Sequence, residues 1–172
     1  MKPSFKRVAI SLVAPIVFAI GFPIAAVLTH DIDSIPWLSG APMRFVASTI
    51  GFLLIAFGLV LSLKTIPLFL RLSEGTIMPW EPTNELIVEG VYRYIRNPMH
   101  TGVFAVMLGE GLVLRSIFIL IFALFAIFSH FFYIPFSEER GLEKRFGEAY
   151  RVYKENVPRW IPRSTPWEPG DT

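Results

Sequence analysis

The sequence predicts an all-α membrane protein of about four transmembrane helices, with a tight hairpin between helices three and four and a cytosolic C-terminal amphipathic helix. Three observations carry that expectation. Hydrophobic residues make up 53% of the 172-residue chain, 16 of them Phe, while only 17% are charged, against about 25% in ordinary soluble domains. The charges are segregated, which leaves apolar blocks close to the ~20 residues that cross a bilayer. Lys and Arg are distributed asymmetrically: three precede residue 8, four lie between residues 64 and 98, seven follow residue 139, and only Arg44 and Arg115 remain. By the positive-inside rule both termini are cytosolic, in a single integral membrane domain covering residues 1–172. The expected location is the cytoplasmic membrane of a prokaryote.

Lys2, Lys6 and Arg7 precede an uncharged run over residues 8–29. That run exceeds the 7–15 residues of a typical signal-peptide core, so it reads as an uncleaved first span, kinked at Pro15 and Pro23. Residues 30–43, with two aspartates and Trp37, suit an outer interfacial loop. The second span covers 45–63, which Lys64 and Pro67 end or bend. The 73–97 segment carries four glutamates and lies on the cytosolic surface. The third span, 99–114, is separated from the fourth, 117–135, by Arg115-Ser116 alone. Two residues allow only a tight turn, so these spans are antiparallel neighbours. Pro135 then bends the chain. Beyond it Leu142, Phe146, Tyr150 and Tyr153 recur at helical intervals and predict one amphipathic helix. The tail over 157–162 is too proline-rich for a helix, and the last ten residues are expected to be loose.

The polar residues with chemical potential gather at one membrane face. In Tyr92-Arg93-Tyr94-Ile95-Arg96-Asn97-Pro98-Met99-His100, Asn97 is a good N-cap and Pro98 a good first helical residue. The helix start then offers bare N–H groups and a positive dipole end beside two guanidinium groups, an anion site. Glu138-Glu139 falls on the same face. Adjacent carboxylates diverge on a helix, so one can face a cavity and the other water. With Arg96 and His100 opposite, the cleft carries both signs of charge and suits a zwitterion. Glu110, between Gly109 and Gly111, places a carboxylate within span three, where it marks a site or pairs with Arg115. The two glycines admit either a flat ligand or a closely packed helix. His130, eight residues before Glu138, either contacts a ligand or bonds a neighbouring helix. His100 can position an anion or move a proton. Zero cysteines exclude disulfides and thiol chemistry, and three isolated histidines lack zinc-ligand spacing, so no metal is expected. Basic residues interleaved with acids exclude nucleic acid as a partner.

Gly90-Val91-Tyr92-Arg93-Tyr94-Ile95-Arg96-Asn97-Pro98-Met99, followed by Glu138-Glu139, Leu142, Phe146-Gly147, Tyr150, Tyr153 and Val157-Pro158-Arg159, resembles the isoprenylcysteine carboxyl methyltransferase and phospholipid methyltransferase family. The likeness runs over residues 78–162. It implies an integral membrane enzyme that transfers a methyl group from S-adenosylmethionine to a lipid-like acceptor, a prenylated carboxylate or a phospholipid amine, entering from the bilayer. Arg96, Asn97, Pro98, Met99, His100, Glu138 and Glu139 would surround the cofactor, and Gly109 and Gly111 look like the family's glycine motif. Gly109 stands roughly 15 Å beyond His100 along a helix, so a shared cofactor would lie lengthwise. Where the family usually has histidine and tyrosine, this chain has Asn97 and His100. A carboxylate acceptor needs only a guanidinium, from Arg93 or Arg159, whereas an amine must lose a proton, to Glu139 or His100. Two other readings stay open: an NADPH-dependent membrane reductase with a similar hairpin, and a non-enzymatic membrane subunit or transporter that uses Glu110 and His130.

Overall fold

The computed structural model describes residues 40–72 and 86–170, with a few isolated positions before residue 40 and without the side chains of 69–72. The first expected span, most of the outer loop and the 73–85 segment lie outside the described residues. The regular elements among them are helices: α1 (Ala41–Leu72), α2 (Pro98–Leu114), α3 (Ile117–Tyr133), α4 (Glu139–Phe146) and α5 (Glu148–Asn156). A 3-10 turn, Gly90–Arg93, precedes α2, and a π-helical turn, Ile134–Glu138, joins α3 to α4.

The α1 helix outruns its expected end at residue 63. Pro67 lies inside it. A proline deprives the preceding turn of one N–H, which neighbouring packing can tolerate in an apolar setting. Two residues earlier the fully buried Thr65 donates its hydroxyl to the Leu61 carbonyl at 2.7 Å.

Backbone meets backbone where α1 packs on α2. A Cβ added to Gly58 would collide with the Gly102 carbonyl oxygen, and one added to Gly51 would lie 2.7 Å from that of Gly109. The reciprocal contacts, Gly102 to the Gly58 oxygen and Gly109 to the Gly51 oxygen, are 3.0 and 2.6 Å. Seven residues, two helical turns, separate the glycines on each helix, so they form one stripe per helix. The pairing 51 with 109 and 58 with 102 makes the two helices antiparallel. Lipid chains give little hydrophobic reward for burying Leu against Leu, so close van der Waals approach of small residues supplies the contact.

The hairpin from α2 to α3 forms as expected. Arg115 takes a left-handed conformation, φ 55°, and its N–H bonds back to the Gly111 and Leu112 carbonyls. Ser116 caps α3 by accepting from the Ile119 N–H at 3.3 Å, while Gly111 packs on Leu120. With α1 and α2 antiparallel, Arg44 and Arg115 share one end of the bundle, and Lys64, Arg93 and Arg96 lie at the other.

Two expectations about the C-terminal part need correction. At Pro135 the chain passes through the π turn, and the helical stretch continues from Ile117 to Phe146. The predicted single amphipathic helix is two, since Gly147 at φ 55° ends α4 before α5 begins. Tyr150 and Tyr153 of α5 nevertheless form a core cluster with Val157 and Trp167, against which Leu142 and Phe146 of α4 pack. The tail is docked rather than loose: Arg163 N–H donates to Tyr94 O and Trp167 N–H to Arg93 O, each at 3.0 Å.

Two helical stretches, Ala41–Leu68 and Ile117–Phe146, are long and apolar enough to cross a membrane. Both expose large apolar side chains, Phe45, Phe52 and Leu53 on one and Phe125, Phe128 and Phe131 on the other. A soluble core helix would bury these, whereas a lipid-facing one need not.

The glycine stripe predicts unequal effects of adding a side chain. Gly58→Val should destabilise the protein by about 1–3 kcal/mol through overpacking. Gly141→Ala, on the exposed face of α4 with nothing within 4 Å, should instead stabilise it by about 0.5–1 kcal/mol. Thermal unfolding of both variants in the same detergent checks the contrast.

Candidate functional site

The start of α2 is fixed by a buried carboxylate. Glu139, 3% exposed, accepts from Arg96 Nη1 at 2.8 Å and from Arg159 Nε and Nη2, each at 2.7 Å. Lys154 Nζ stands 4.0 Å from its Oε2. Arg96 comes from the loop before α2, Glu139 from the first turn of α4, and Arg159 from the tail. A backbone bond from Arg96 N–H to Pro158 O, 2.9 Å, joins loop and tail directly. The bond to Glu139 raises the Arg159 guanidinium above its already high ordinary value. Beneath this triad Arg96 also bonds the Tyr150 hydroxyl, which burial, aided by nearby Glu139, pushes up to about 12. Tyr153 donates to Tyr92 O at 2.8 Å, and burial raises its hydroxyl too.

Asn97 occupies the N-cap position, but its side chain makes no capping bond. Its carbonyl instead accepts from the Thr101 N–H and hydroxyl, at 3.1 and 3.0 Å, and its Nδ2 is left buried without a partner. Arg96 Nε and Trp160 Nε1 are in the same condition. Buried donors are normally paired, so three such groups on neighbouring segments are unusual.

A cluster of rings lies beside them. The His100 and His130 centroids are 5.2 Å apart, Phe104 meets His130 edge-on at 5.3 Å, and Trp160 lies 6.0 Å from Phe104. Tyr133 is 6.3 Å from His130. The hydrogen bond of His130 stays within its own helix, with Nδ1 2.8 Å from Ala126 O, rather than reaching a neighbouring helix among the described residues.

The adjacent carboxylates diverge as expected. Glu139 is buried in its triad, while Glu138 is half-buried, makes no ion pair among the described residues, and lies within electrostatic reach of Tyr92 and His130. Pro98 is buried, and Met99 and His100 are half-buried at the start of α2. Arg93 turns away from this group. Its Nε donates to Trp167 O at 2.9 Å, and its Nη2 pairs with Glu168. Gly109 and Gly111 are also elsewhere, packed on α1 and on Leu120 of α3, where a Cβ would collide. Glu110 Oε2 and Arg115 Nε are each buried without a partner, so the pairing expected between them does not form among the described residues. No group of metal-ligating side chains occurs among the described residues. Sequence reasoning missed Phe104 and Trp160. The signal for the second was a Trp directly after Arg159 in a segment rich in proline.

The model of the phospholipid methyltransferase family matches residues 46–149. The chain belongs to this family. The match begins in α1 and ends within α5, so it contains the triad's Arg96 and Glu139 but stops before Arg159 and Trp160. The chain is also similar to two curated proteins named protein-S-isoprenylcysteine O-methyltransferase. With that of Schizosaccharomyces pombe it is 33% identical over 78 residues, covering 45% of this chain and 33% of the relative. With that of Xenopus laevis it is 29% identical over 143 residues, covering 82% of this chain and 46% of the relative. The chain thus spans less than half the length of either. No solved structure matches it.

The triad predicts a stability effect that surface ion pairs lack. Glu139→Gln leaves Arg96 buried without its counter-charge and should lower unfolding free energy by about 3 kcal/mol. Arg151→Ala removes exposed pairs with Glu143 and Glu148 and should stay within about 0.5 kcal/mol of wild type. Denaturant unfolding in micelles measures both.

Proposed function

We propose that this protein is an integral membrane, multi-pass methyltransferase that uses S-adenosylmethionine and acts on a lipid-like acceptor, with both termini cytosolic. The observation that carries the reading is the set of three buried, unpartnered N–H donors, Arg96 Nε, Asn97 Nδ2 and Trp160 Nε1, beside the ring cluster and Glu138. These groups fit the cofactor implied by the family. Its carboxylate, ribose and adenine present acceptors for the orphan donors, its ammonium suits the unpaired carboxylate of Glu138, and its sulfonium suits aromatic faces. Pro98, Met99 and His100 would line the same region. When bound, S-adenosylmethionine supplies an electrophilic methyl group.

The chain's own residues bind, orient and exclude water. Glu139 acts as a positioning residue, because its two oxygens are engaged by Arg96 and Arg159 and hold the first in place. Gly109 and Gly111 support the reading indirectly, by letting α1 and α3 approach α2. Methyl transfer requires an in-line approach of acceptor to donor, and positioning accounts for most of what a protein can contribute. The acceptor would come from the bilayer side, past the exposed apolar faces of α1 and α3.

The transporter reading finds little support. His130 packs on His100, and Glu110 lies ten residues further along α2, roughly 15 Å away. Family membership favours a methyl donor over NADPH.

Equilibrium binding in lipid nanodiscs tests the reading. Labelled S-adenosylmethionine should bind saturably and NADPH should not displace it, whereas saturable binding of NADPH alone would overturn the proposal. Trp160→Phe and Asn97→Leu should each weaken cofactor binding by about five- to tenfold, the worth of one hydrogen bond. The same variants should leave the melting temperature unchanged or raised, since each removes an unsatisfied buried donor. Unaltered affinity in both would remove these residues from the site.

A further inference from the structure

We propose that residues 159–168 form a strap that closes over the methyl-donor site, with the Arg93–Glu168 ion pair as its latch. The inference rests on the methyltransferase reading and adds to it how the donor is admitted.

The need for an opening comes from burial. Arg96 Nε, Asn97 Nδ2 and Trp160 Nε1 are all shielded from solvent, so a ligand reaches them only when some cover over them moves. Much of the surrounding frame is firmly held. The paired glycines fix α1 on α2, a two-residue turn fixes α3, and Glu139 ties the loop before α2 to α4. The tail is different. After Asn156 it forms no helix, and Pro158, Pro162 and Pro166 each lack an N–H with which to hold it.

The ties of this tail fall into two groups. At the near end Arg96 N–H donates to Pro158 O at 2.9 Å, and Arg159 is bound to Glu139. This end is the pivot. Beyond it Arg163 donates through its N–H to Tyr94 O and through Nη1 to Asn156 O. At the far end Trp167 N–H donates to Arg93 O, Arg93 Nε returns a bond to Trp167 O, and Arg93 Nη2 pairs with Glu168. Trp160 lies between the pivot and the first of the outer ties. Its neighbours Ile161 and Pro162 are exposed, as are Ser164 and Thr165.

The far end is held weakly for the number of its ties. The side chain of Glu168 is 60% exposed and that of Arg93 26%, so water and salt screen their attraction. The Trp167 ring is buried against Tyr153, yet its Nε1–H has no partner there. An unmet donor offsets part of what the ring gains by burial. The far end therefore releases at low cost while the Glu139 pivot holds, a local opening rather than unfolding. Its release lifts Trp160 from Phe104, which it meets at 6.0 Å in the closed form, and uncovers the donors.

The test uses the full chain in nanodiscs, with S-adenosylmethionine as the probe. Hydrogen–deuterium exchange should be faster at the Arg163 and Trp167 amides than at Val157, whose N–H is held by Tyr153 O of α5. Bound S-adenosylmethionine should slow the first two. Glu168→Gln should raise their exchange about two- to fivefold, the worth of an exposed ion pair. Unlatching eases opening of the free and bound forms alike. The variant should therefore speed cofactor association and dissociation by the same factor and leave Kd unchanged, a split that mere loss of structure would not give. High salt should accelerate the wild type and not the variant. Exchange of all three amides in step, no slowing by bound cofactor, or a raised Kd without faster association in Glu168→Gln would each overturn the strap and leave the methyltransferase reading standing. Absence of saturable S-adenosylmethionine binding would overturn both.

Discussion

The buried carboxylate of Glu139 is the constraint on which the described structure turns. Three segments that share no helix and little sequence proximity, the loop before α2, the start of α4 and the tail, meet at its two oxygens. Burying an ion costs several kcal/mol in effective desolvation, and the arrangement offsets this only because each oxygen is well supplied with charged donors. Oε1 takes bonds from two guanidinium groups and Oε2 from one, with Lys154 beyond it. The Arg96 to Pro158 backbone bond and the Tyr94 and Arg93 bonds to residues 163 and 167 then follow as a short ladder along the same seam. Trp160 stands against Phe104 beside this seam, where bonds to distant partners hold a proline-rich tail.

The membrane-facing half contributes rigidity of another kind. The paired glycines bring the backbones of α1 and α2 together, and the two-residue turn locks α3 beside α2. Neither contact involves charge, as suits an apolar medium. The polar network and the glycine stripes are therefore separated along α2, with the network at its start and the stripe running toward its end. On the proposed reading that separation removes the need for a ligand lying lengthwise along the hairpin: Gly109 packs on α1, and two of the three orphan donors, on Arg96 and Asn97, immediately precede Pro98.

Local rules made much of this legible in the sequence. Arg115-Ser116 is too short for anything but an antiparallel hairpin, and the count of Lys and Arg set Arg93–His100 and Glu138-Glu139 on one face. Neither proline ends its helical stretch. Pro67 and Pro135 are strong breakers in water, but in an apolar helix an unsatisfied carbonyl has no solvent to turn to, so the chain adapts locally and continues. Gly147 misled in the opposite direction, because the apolar spacing of Leu142, Phe146, Tyr150 and Tyr153 survives a break that its positive φ creates. The tail read as loose because its order depends on partners some sixty to seventy residues away, such as Arg93 and Tyr94. The role of Gly109 was available in principle: Gly51 and Gly58 repeat the seven-residue spacing of Gly102 and Gly109.

The two departures from the family's usual motif gain a physical meaning from this geometry. The Asn97 side chain makes no capping bond, and its backbone carbonyl accepts from the Thr101 N–H and hydroxyl. Its amide Nδ2 is left buried without a partner, as are the Trp160 indole and Arg96 Nε. His100, in place of a tyrosine, carries no phenol but stacks near His130, and so brings a second imidazole to the ring whose Nδ1 is already committed. The Glu139 triad sets one carboxylate against two guanidinium groups and so carries net positive charge, while Arg93 is paired with Glu168. Beside the triad lie the orphan donors, two imidazoles and the half-buried carboxylate of Glu138. On the proposed reading, a zwitterionic, sulfonium-bearing cofactor suits such a surface, because the orphan donors and the excess guanidinium charge meet its carboxylate while Glu138 meets its ammonium.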